Sequence, residues 1–414
     1  MRTDTMLDFI TERVNSWDFL KNTDLPVFIY GMGDGAEKIL RVFDEYGISA
    51  AGFFASDEFV RGHYFKGHLV HTLSQIENII DDFVIVLAFG AGYESLYRRI
   101  CGMAERHILL APDVPVVGDG LFTYEYCLEN AEKLQKVYDL LADDMSRQTF
   151  ADIINFRISG KIDYLHHCTV PKSDIWENII RLGENERYID MGAYNGDTAI
   201  EFAELTKGKY DHIYAVEPDT RNFRKLTKNT EGMENITLIN GAAWNDNAEL
   251  TFSDRSGRNS KLTDNSGVKL KTVMGVTGDS LCDSATLIKM DVEGAECEAV
   301  EGCESSIKAG SSLICALYHR NEDIFELPLK VHEINPQLKL YIRHLLYIPA
   351  WETNLFCAKL PRSAHNPFNP FADNPSGKLC WRMCLRQYSG NEFIHAPPHT
   401  YISSDETDNK CIIE

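Results

Sequence analysis

Apolar positions along the chain follow two rhythms, one helical and one strand-like, and their alternation outlines the fold. Met6, Phe9, Ile10, Val14, Trp17 and Leu20 recur three or four residues apart, so the first twenty residues predict an amphipathic lead-in helix. Val27-Phe28-Ile29-Tyr30 is a short apolar run that ends in Gly31-Met32-Gly33-Asp34-Gly35, and Ile39, Leu40, Val42 and Phe43 then return to helical spacing. A strand, a glycine turn and a helix of this kind form a βα unit. Further strands at 50–54 and 83–89, the second closed by Gly90 and Gly92, predict a parallel α/β domain over 1–125. Over 126–170 the pattern is helical, with Leu134, Val137, Leu140, Leu141, Ile153, Ile154 and Phe156 on one stripe and no internal proline, and predicts a helical bridge.

After Pro171 strands and helices alternate again, with strands predicted at 188–191, 212–216, 236–240, 286–290 and 313–317. Such alternation implies a second doubly wound sheet over 171–360. A polar excursion over 248–283, with Leu250 and Phe252 answered by Leu270 and Val273, predicts an inserted β-hairpin. Pro361, Pro367, Pro370, Pro375, Pro397 and Pro398 crowd the remainder, so 361–414 reads as an extended tail.

Composition narrows the function classes. The 414 residues are 44% apolar and 25% charged, near the averages for globular proteins, which sets aside disorder and coiled coils. A net charge of −21 repels phosphate backbones and anionic membranes, so nucleic acid is excluded as a partner. The longest apolar run, 83–92, is too short to span a bilayer. The acidic N-terminus, with Asp4, Asp8 and Glu12, is unlike a secretory leader. Eleven scattered cysteines fit reduced thiols in a reducing, cytoplasmic compartment.

The richest chemistry lies in Tyr188-Ile189-Asp190-Met191-Gly192-Ala193-Tyr194-Asn195-Gly196-Asp197-Thr198. A strand enters a two-glycine turn and then a helix, so backbone N–H groups can approach a ligand closely. Asp190 and Asp197 would repel a pyrophosphate, and there is no loop lysine, but acidic groups suit a cationic amino-acid ligand such as S-adenosylmethionine. The next strand ends in Val216-Glu217-Pro218, where a carboxylate can accept both ribose hydroxyl protons.

Three ordered blocks carry a family resemblance: 190–198, then Val216-Glu217-Pro218-Asp219 with Asn222, Leu226 and Asn229, then Ile288-Lys289-Met290-Asp291-Val292-Glu293-Gly294-Ala295-Glu296. With them the chain resembles the FkbM family of S-adenosylmethionine-dependent methyltransferases, over about 143–359. Leu317-Tyr318-His319, Asp323, Pro328 and Tyr341-Ile342-Arg343-His344 resemble a bacterial branch associated with surface glycans. The alternation thus predicts two doubly wound Rossmann-like α/β domains, and the resemblance implies that the second is a seven-stranded class I methyltransferase sheet whose last strands are 338–346 and 354–358. It also implies that Asp190, Gly192, Ala193, Asn195 and Gly196 line the methionine end of the cofactor, that Glu217 holds the ribose, and that Asp291 sits beside the sulfonium. Glu293 and Glu296 fall in a helix's first turn, where meeting the helix dipole is the alternative to a role in the site.

Weaker signals surround this core. Gly31-x-Gly33-x-Gly35 lacks the acidic residue of a dinucleotide fingerprint. The run 52–57, with Gly67 and 69–72, resembles small domains that bind nucleotide sugars ahead of sugar acyltransferases; a scaffold or dimerisation module, giving a homo-oligomer, is the other reading. Cys380-x3-Cys384 with His395-x3-His399 approaches a zinc spacing, although Pro397 and Pro398 break the helix that would pair the histidines. Paired His166 and His167 read as a solvated loop.

The expected reaction is methyl transfer from S-adenosylmethionine to a hydroxyl of a sugar, glycan precursor or related metabolite. An alcohol must lose its proton as the methyl arrives, and His319 and Asp291 are the candidate bases. His319 would be neutral and oriented by Asp323, while Asp323, Arg343 and His344 would contact the acceptor. Asp291 and Glu293 could hold Mg²⁺, but one short acidic pair does not make a metal site. The alternatives are a catalytically silent nucleotide-sugar-binding scaffold in glycan assembly and a nicotinamide-dependent oxidoreductase, the latter disfavoured by the incomplete glycine fingerprint.

Overall fold

The computed structural model describes residues 6–60, 62–253 and 270–359. The tip of the inserted hairpin and the proline-rich tail, with its Cys380, Cys384, His395 and His399, lie outside the described residues.

The first apolar runs form strands β1 Val27–Tyr30, β2 Gly52–Phe54, β3 Tyr64–Phe65, β4 His68–His71, β5 Val84–Leu87 and β6 Ile108–Leu110. They make a six-stranded sheet in the order β3-β4-β2-β1-β5-β6, parallel except for the β3–β4 hairpin. The central strands β1 and β5 are buried along their whole length, as strands covered by helices on both faces must be.

The second set is β7 Arg187–Met191, β8 His212–Val216, β9 Ile236–Ile239, β10 Ala242–Ala243, β11 Glu249–Ser253, β12 Leu270–Val276, β13 Leu287–Met290, β14 Ser312–Ala316, β15 Lys339–His344 and β16 Thr353–Ala358. Seven of these form one sheet, β15-β16-β14-β13-β7-β8-β9, with only β16 antiparallel to its neighbours. The expected seven-stranded sheet is thus present, with strand ends within two residues of those read from the sequence. The polar excursion is the expected hairpin: β11 pairs antiparallel with β12, Leu250 facing Val273, and β10 adds to its edge.

Four helices, Tyr124–Glu129, Ala131–Leu140, Asp144–Ser159 and Asp163–Cys168, form the bridge. The longest is buried on nearly every side, since it lies between the two sheets. One apolar cluster runs from Phe28 and Leu87 of the first sheet through Phe150 and Ile154 to Ile189 and Leu313 of the second. The division expected near residue 125 is therefore crossed by a continuous core.

The lead-in helix is shorter than its apolar spacing suggested. Among its described residues only Ser16–Asn22 is helical, started by the Asn15 side chain, which accepts from Asp18 N–H at 2.8 Å. Upstream, the N–H groups of Thr11 and Glu12 donate to Asn155 Oδ1 at 2.7 and 2.9 Å, and Asn155 Nδ2 donates to Phe9 O at 2.9 Å. A buried amide that satisfies these groups removes the need for helical bonds, while Leu7 and Ile10 still bury their side chains.

Arg343 also departs from expectation. From β15 its Nε donates to Asp174 Oδ2 at 2.6 Å, its Nη2 to Asp143 Oδ2 at 2.7 Å and its Nη1 to Ser146 Oγ at 2.7 Å. It clamps the bridge onto the edge of the second sheet and does not line the cavity described below. Breaking a buried ion pair from one side leaves stranded carboxylates, at a cost of about 3–5 kcal/mol. Arg343→Met should therefore lower unfolding stability by roughly that amount in urea titration, with cofactor affinity kept in whatever fraction remains folded.

Candidate functional site

Strands β7, β8, β13 and β14 end side by side, and the turns after them meet at the carboxyl edge where open α/β sheets bind ligands. After β7, Gly192 has φ +82°, and a Cβ there would lie 1.8 Å from Asp291 O. Only glycine lets this turn pass so close to the turn after β13. The N–H groups of Gly192 and Ala193 both donate to Val216 O at 3.0 Å, and Tyr194 N–H donates to Glu217 Oε2 at 2.9 Å. The other Glu217 oxygen accepts from Asp219 N–H at 2.8 Å. Burial raises the Glu217 pKa, and these two N–H groups only partly offset the effect.

Beneath the turn, Asp190 is completely buried; its Oδ2 accepts from Thr198 Oγ1 at 2.5 Å and its Oδ1 lies 3.3 Å from Lys289 Nζ. Lys289 also donates to Gly192 O at 2.9 Å. Burial opposes the charge on Lys289, but Asp190 and then Asp291 outweigh it and raise its pKa. This lysine ties strand, turn and acid together. In the sequence Lys289 stands inside the third block with nothing local to mark this role.

The second focus is His319, which follows β14 and is 2% exposed. Its Nδ1 lies 2.8 Å from Glu296 Oε1, and its Nε2 lies 3.5 Å from Asp291 Oδ1 and 3.8 Å from Glu293 Oε2. Tyr318 Oη donates to Asp291 Oδ2 at 3.2 Å. Burial opposes a charge on His319, yet Glu296, then Asp291 and Glu293, raise its pKa to about 9. The expected neutral histidine is thus an imidazolium at neutral pH, and a ring that already holds its proton cannot accept another. Its orienting partner is Glu296, not Asp323. Asp323 instead accepts Arg320 N–H at 2.8 Å, and burial followed by Glu296 raises its own pKa to about 8. His344 is fully buried between Thr353 Oγ1 and Tyr347 O, both at 3.0 Å, and burial lowers its pKa to about 4.

The first half of the chain braces this loop. Val117 N–H donates to His319 O at 2.8 Å; Arg157 donates to Asn321 Oδ1 at 2.6 Å and to Asp113 Oδ2 at 2.8 Å.

All these turns open on one cavity of about 1190 Å³. Gly192, Glu217, Asp291 and His319 line it; Asp190, Ala193, Asn195 and Gly196 shape the turn from behind, and neither Asp323 nor His344 reaches it. Asp34 and Lys38, at the glycine turn of the first sheet, form part of the same wall.

Residues 190–347 match the profile of the methyltransferase FkbM domain. That span is an FkbM methyltransferase domain. Methyltransferase FkbM from Methylobacillus flagellatus KT, known from a crystal structure, shares the fold at a TM-score of 0.62 and 20% identity over 80% of this chain and 90% of its own. An rRNA methylase from Streptococcus thermophilus aligns over 44% of this chain and 90% of its own, at 14% identity and a TM-score of 0.30. Aeropyrum pernix fibrillarin with natively bound S-adenosyl-L-methionine aligns over 45% and 73%, at 16% identity and a TM-score of 0.28. No curated protein matches the sequence.

The FkbM domain implies S-adenosylmethionine-dependent methylation, and the donor set fits that cofactor. Glu217 lines the cavity with both oxygens already fixed by backbone N–H groups, a rigid acceptor pair for a ribose diol. Asp291 and Asp197 line the same cavity and suit a molecule bearing a sulfonium and an ammonium. The volume exceeds the roughly 300–1,000 Å³ of ordinary small-molecule sites, which leaves room for a methyl acceptor. No helix among the described residues is long and apolar enough to cross a membrane.

Two measurements probe these assignments. Glu217→Ala should weaken S-adenosylmethionine binding by about 1.5–3 kcal/mol in calorimetry, the range for hydrogen bonds to a charged group; unchanged affinity removes Glu217 from the cofactor site. NMR titration should place His319 near pH 9, and Glu296→Gln should bring it down toward the ordinary 6.5. Because the folded pKa lies above the unfolded one, the stability His319 contributes is fully present below about pH 6.5 and lost as pH rises through about 9. Unfolding free energy should fall across that window by roughly 2–3 kcal/mol more in the wild type than in His319→Gln.

Proposed function

We propose that this methyltransferase acts on oxygen, moving the methyl group of S-adenosylmethionine to a hydroxyl of a sugar or glycan precursor. The observation that carries the reading is the Asp291 carboxylate at the cavity wall, held on one side by Tyr318 Oη and on the other by the His319 imidazolium. When bound, the cofactor supplies a methyl group already activated by its sulfonium, so the chain's tasks are placement and proton removal. Asp291 accepts the hydroxyl proton as the methyl transfers. His319, kept charged by Glu296, fixes the carboxylate and stays protonated throughout. Trp244, Tyr347 and Trp351 on the cavity wall offer flat faces of the kind that pack against sugar rings, which favours a sugar over a smaller alcohol. A silent scaffold would have no use for a carboxylate held in this way.

Methyl-labelled S-adenosylmethionine incubated with fractionated glycan precursors tests the proposal. Label should enter a sugar-bearing fraction and survive mild base, as a methyl ether does. Asp291→Asn should slow turnover by about 10²–10⁴, the range for loss of a general base. Label that is base-labile or carried on nitrogen overturns the O-methyl reading, and a less than tenfold loss in the variant removes Asp291 from the base role.

A further inference from the structure

Glu352 was not singled out by the sequence, yet it occupies an unusual position. It lies in the turn between β15 and β16 with φ +68°, in the left-handed region that favours glycine, and its carbonyl accepts Leu345 N–H at 3.1 Å. A non-glycine residue is held there at a cost, and such positions cluster at functional sites. Tyr194 and Glu293, at φ +46° and +55°, share the conformation, and all three line the same cavity. The Glu352 side chain is partly buried, and among the described residues its carboxylate has neither a hydrogen bond nor an ion pair. A carboxyl group placed this way on a cavity wall can accept from a molecule bound in the cavity. Burial, and then Asp291, raise its pKa. The cations facing it are engaged elsewhere: Lys172 pairs with Glu201 at 2.5 Å, and Lys289 serves Gly192 O and Asp190.

Its surroundings suggest what the partner is. Trp351 precedes it, with its ring centroid 5.8 Å from that of Tyr347. Tyr347 is itself seated on Gly90 and Gly92, after β5 of the first sheet, where a Cβ would lie 2.8 and 2.7 Å from the ring. Aromatic faces beside a hydrogen-bond-accepting carboxylate suit a ring bearing hydroxyl donors. Along the cavity wall carboxylates outnumber lysines and arginines, a lining that repels a second anion.

We propose that Glu352 receives a hydroxyl of the methyl acceptor, and that the acceptor is a neutral polyhydroxylated molecule, not a phosphorylated or nucleotide-linked one. This rests on the O-methyltransferase reading above and names the acceptor class for it.

Saturation-transfer NMR on the full chain, with methyl α-D-glucopyranoside and glucose 1-phosphate as probes, tests the inference. The glycoside should bind and the phosphate should bind at least tenfold more weakly. Glu352→Gln should raise the glycoside dissociation constant about tenfold, in keeping with loss of a charge-assisted hydrogen bond, and leave S-adenosylmethionine affinity within twofold in calorimetry. Glu352→Gly, which suits the backbone, should show the same loss if the glutamine variant folds poorly. Preference for the phosphate, no binding of either probe, or equal glycoside binding by wild type and both variants overturns the inference. If the wild type fails to bind S-adenosylmethionine while the glycoside still depends on Glu352, the methyltransfer reading fails and this assignment stands.

Discussion

A buried imidazolium among carboxylates is the interaction on which the rest of the site depends. His319 draws Glu296 to one ring nitrogen and Asp291 and Glu293 toward the other, so the turns after β13 and β14 are joined through one charged ring. Without that positive charge the acids would repel one another in a poorly solvated pocket. Lys289 does the same work one strand over, joining Asp190 to the Gly192 turn. Two cations placed beneath the carboxyl edge thus let a strongly acidic protein gather carboxylates around a ligand cavity.

Much of the fold was legible in the sequence because strands buried on both faces leave continuous apolar runs. β7, β8, β13 and β14 were found within two residues of their ends. The lead-in helix misled because its apolar spacing records burial, which Leu7 and Ile10 achieve without a helix once Asn155 satisfies their neighbours' backbone.

For the site, Gly192 and Glu217 could be read from local motifs, since strand, turn and acid lie within a few residues of one another. Partnerships could not. Glu296 precedes His319 by a helix pair and a strand, and in sequence it looks like any acidic residue opening a helix. Arg343 and His344 had the polarity of acceptor ligands, but their strand sits at the sheet edge under the bridge, where Asp143 and Asp174 claim the arginine. Glu352 had no signal, because a left-handed backbone at a non-glycine residue leaves no trace in residue type.

The contact of Tyr347 with Gly90 and Gly92 has an evolutionary consequence. Ala91 and Ile348 exchange both backbone hydrogen bonds, at 2.7 and 3.1 Å, so the loop after β5 and the turn beside Glu352 move as one piece, with the tyrosine ring filling the space above the two glycines. Neither side of this joint can drift alone. Relatives that carry a larger residue at the positions of Gly90 or Gly92 should carry a smaller one at Tyr347, and those that lose the first sheet altogether should have rebuilt the turn that presents Glu352.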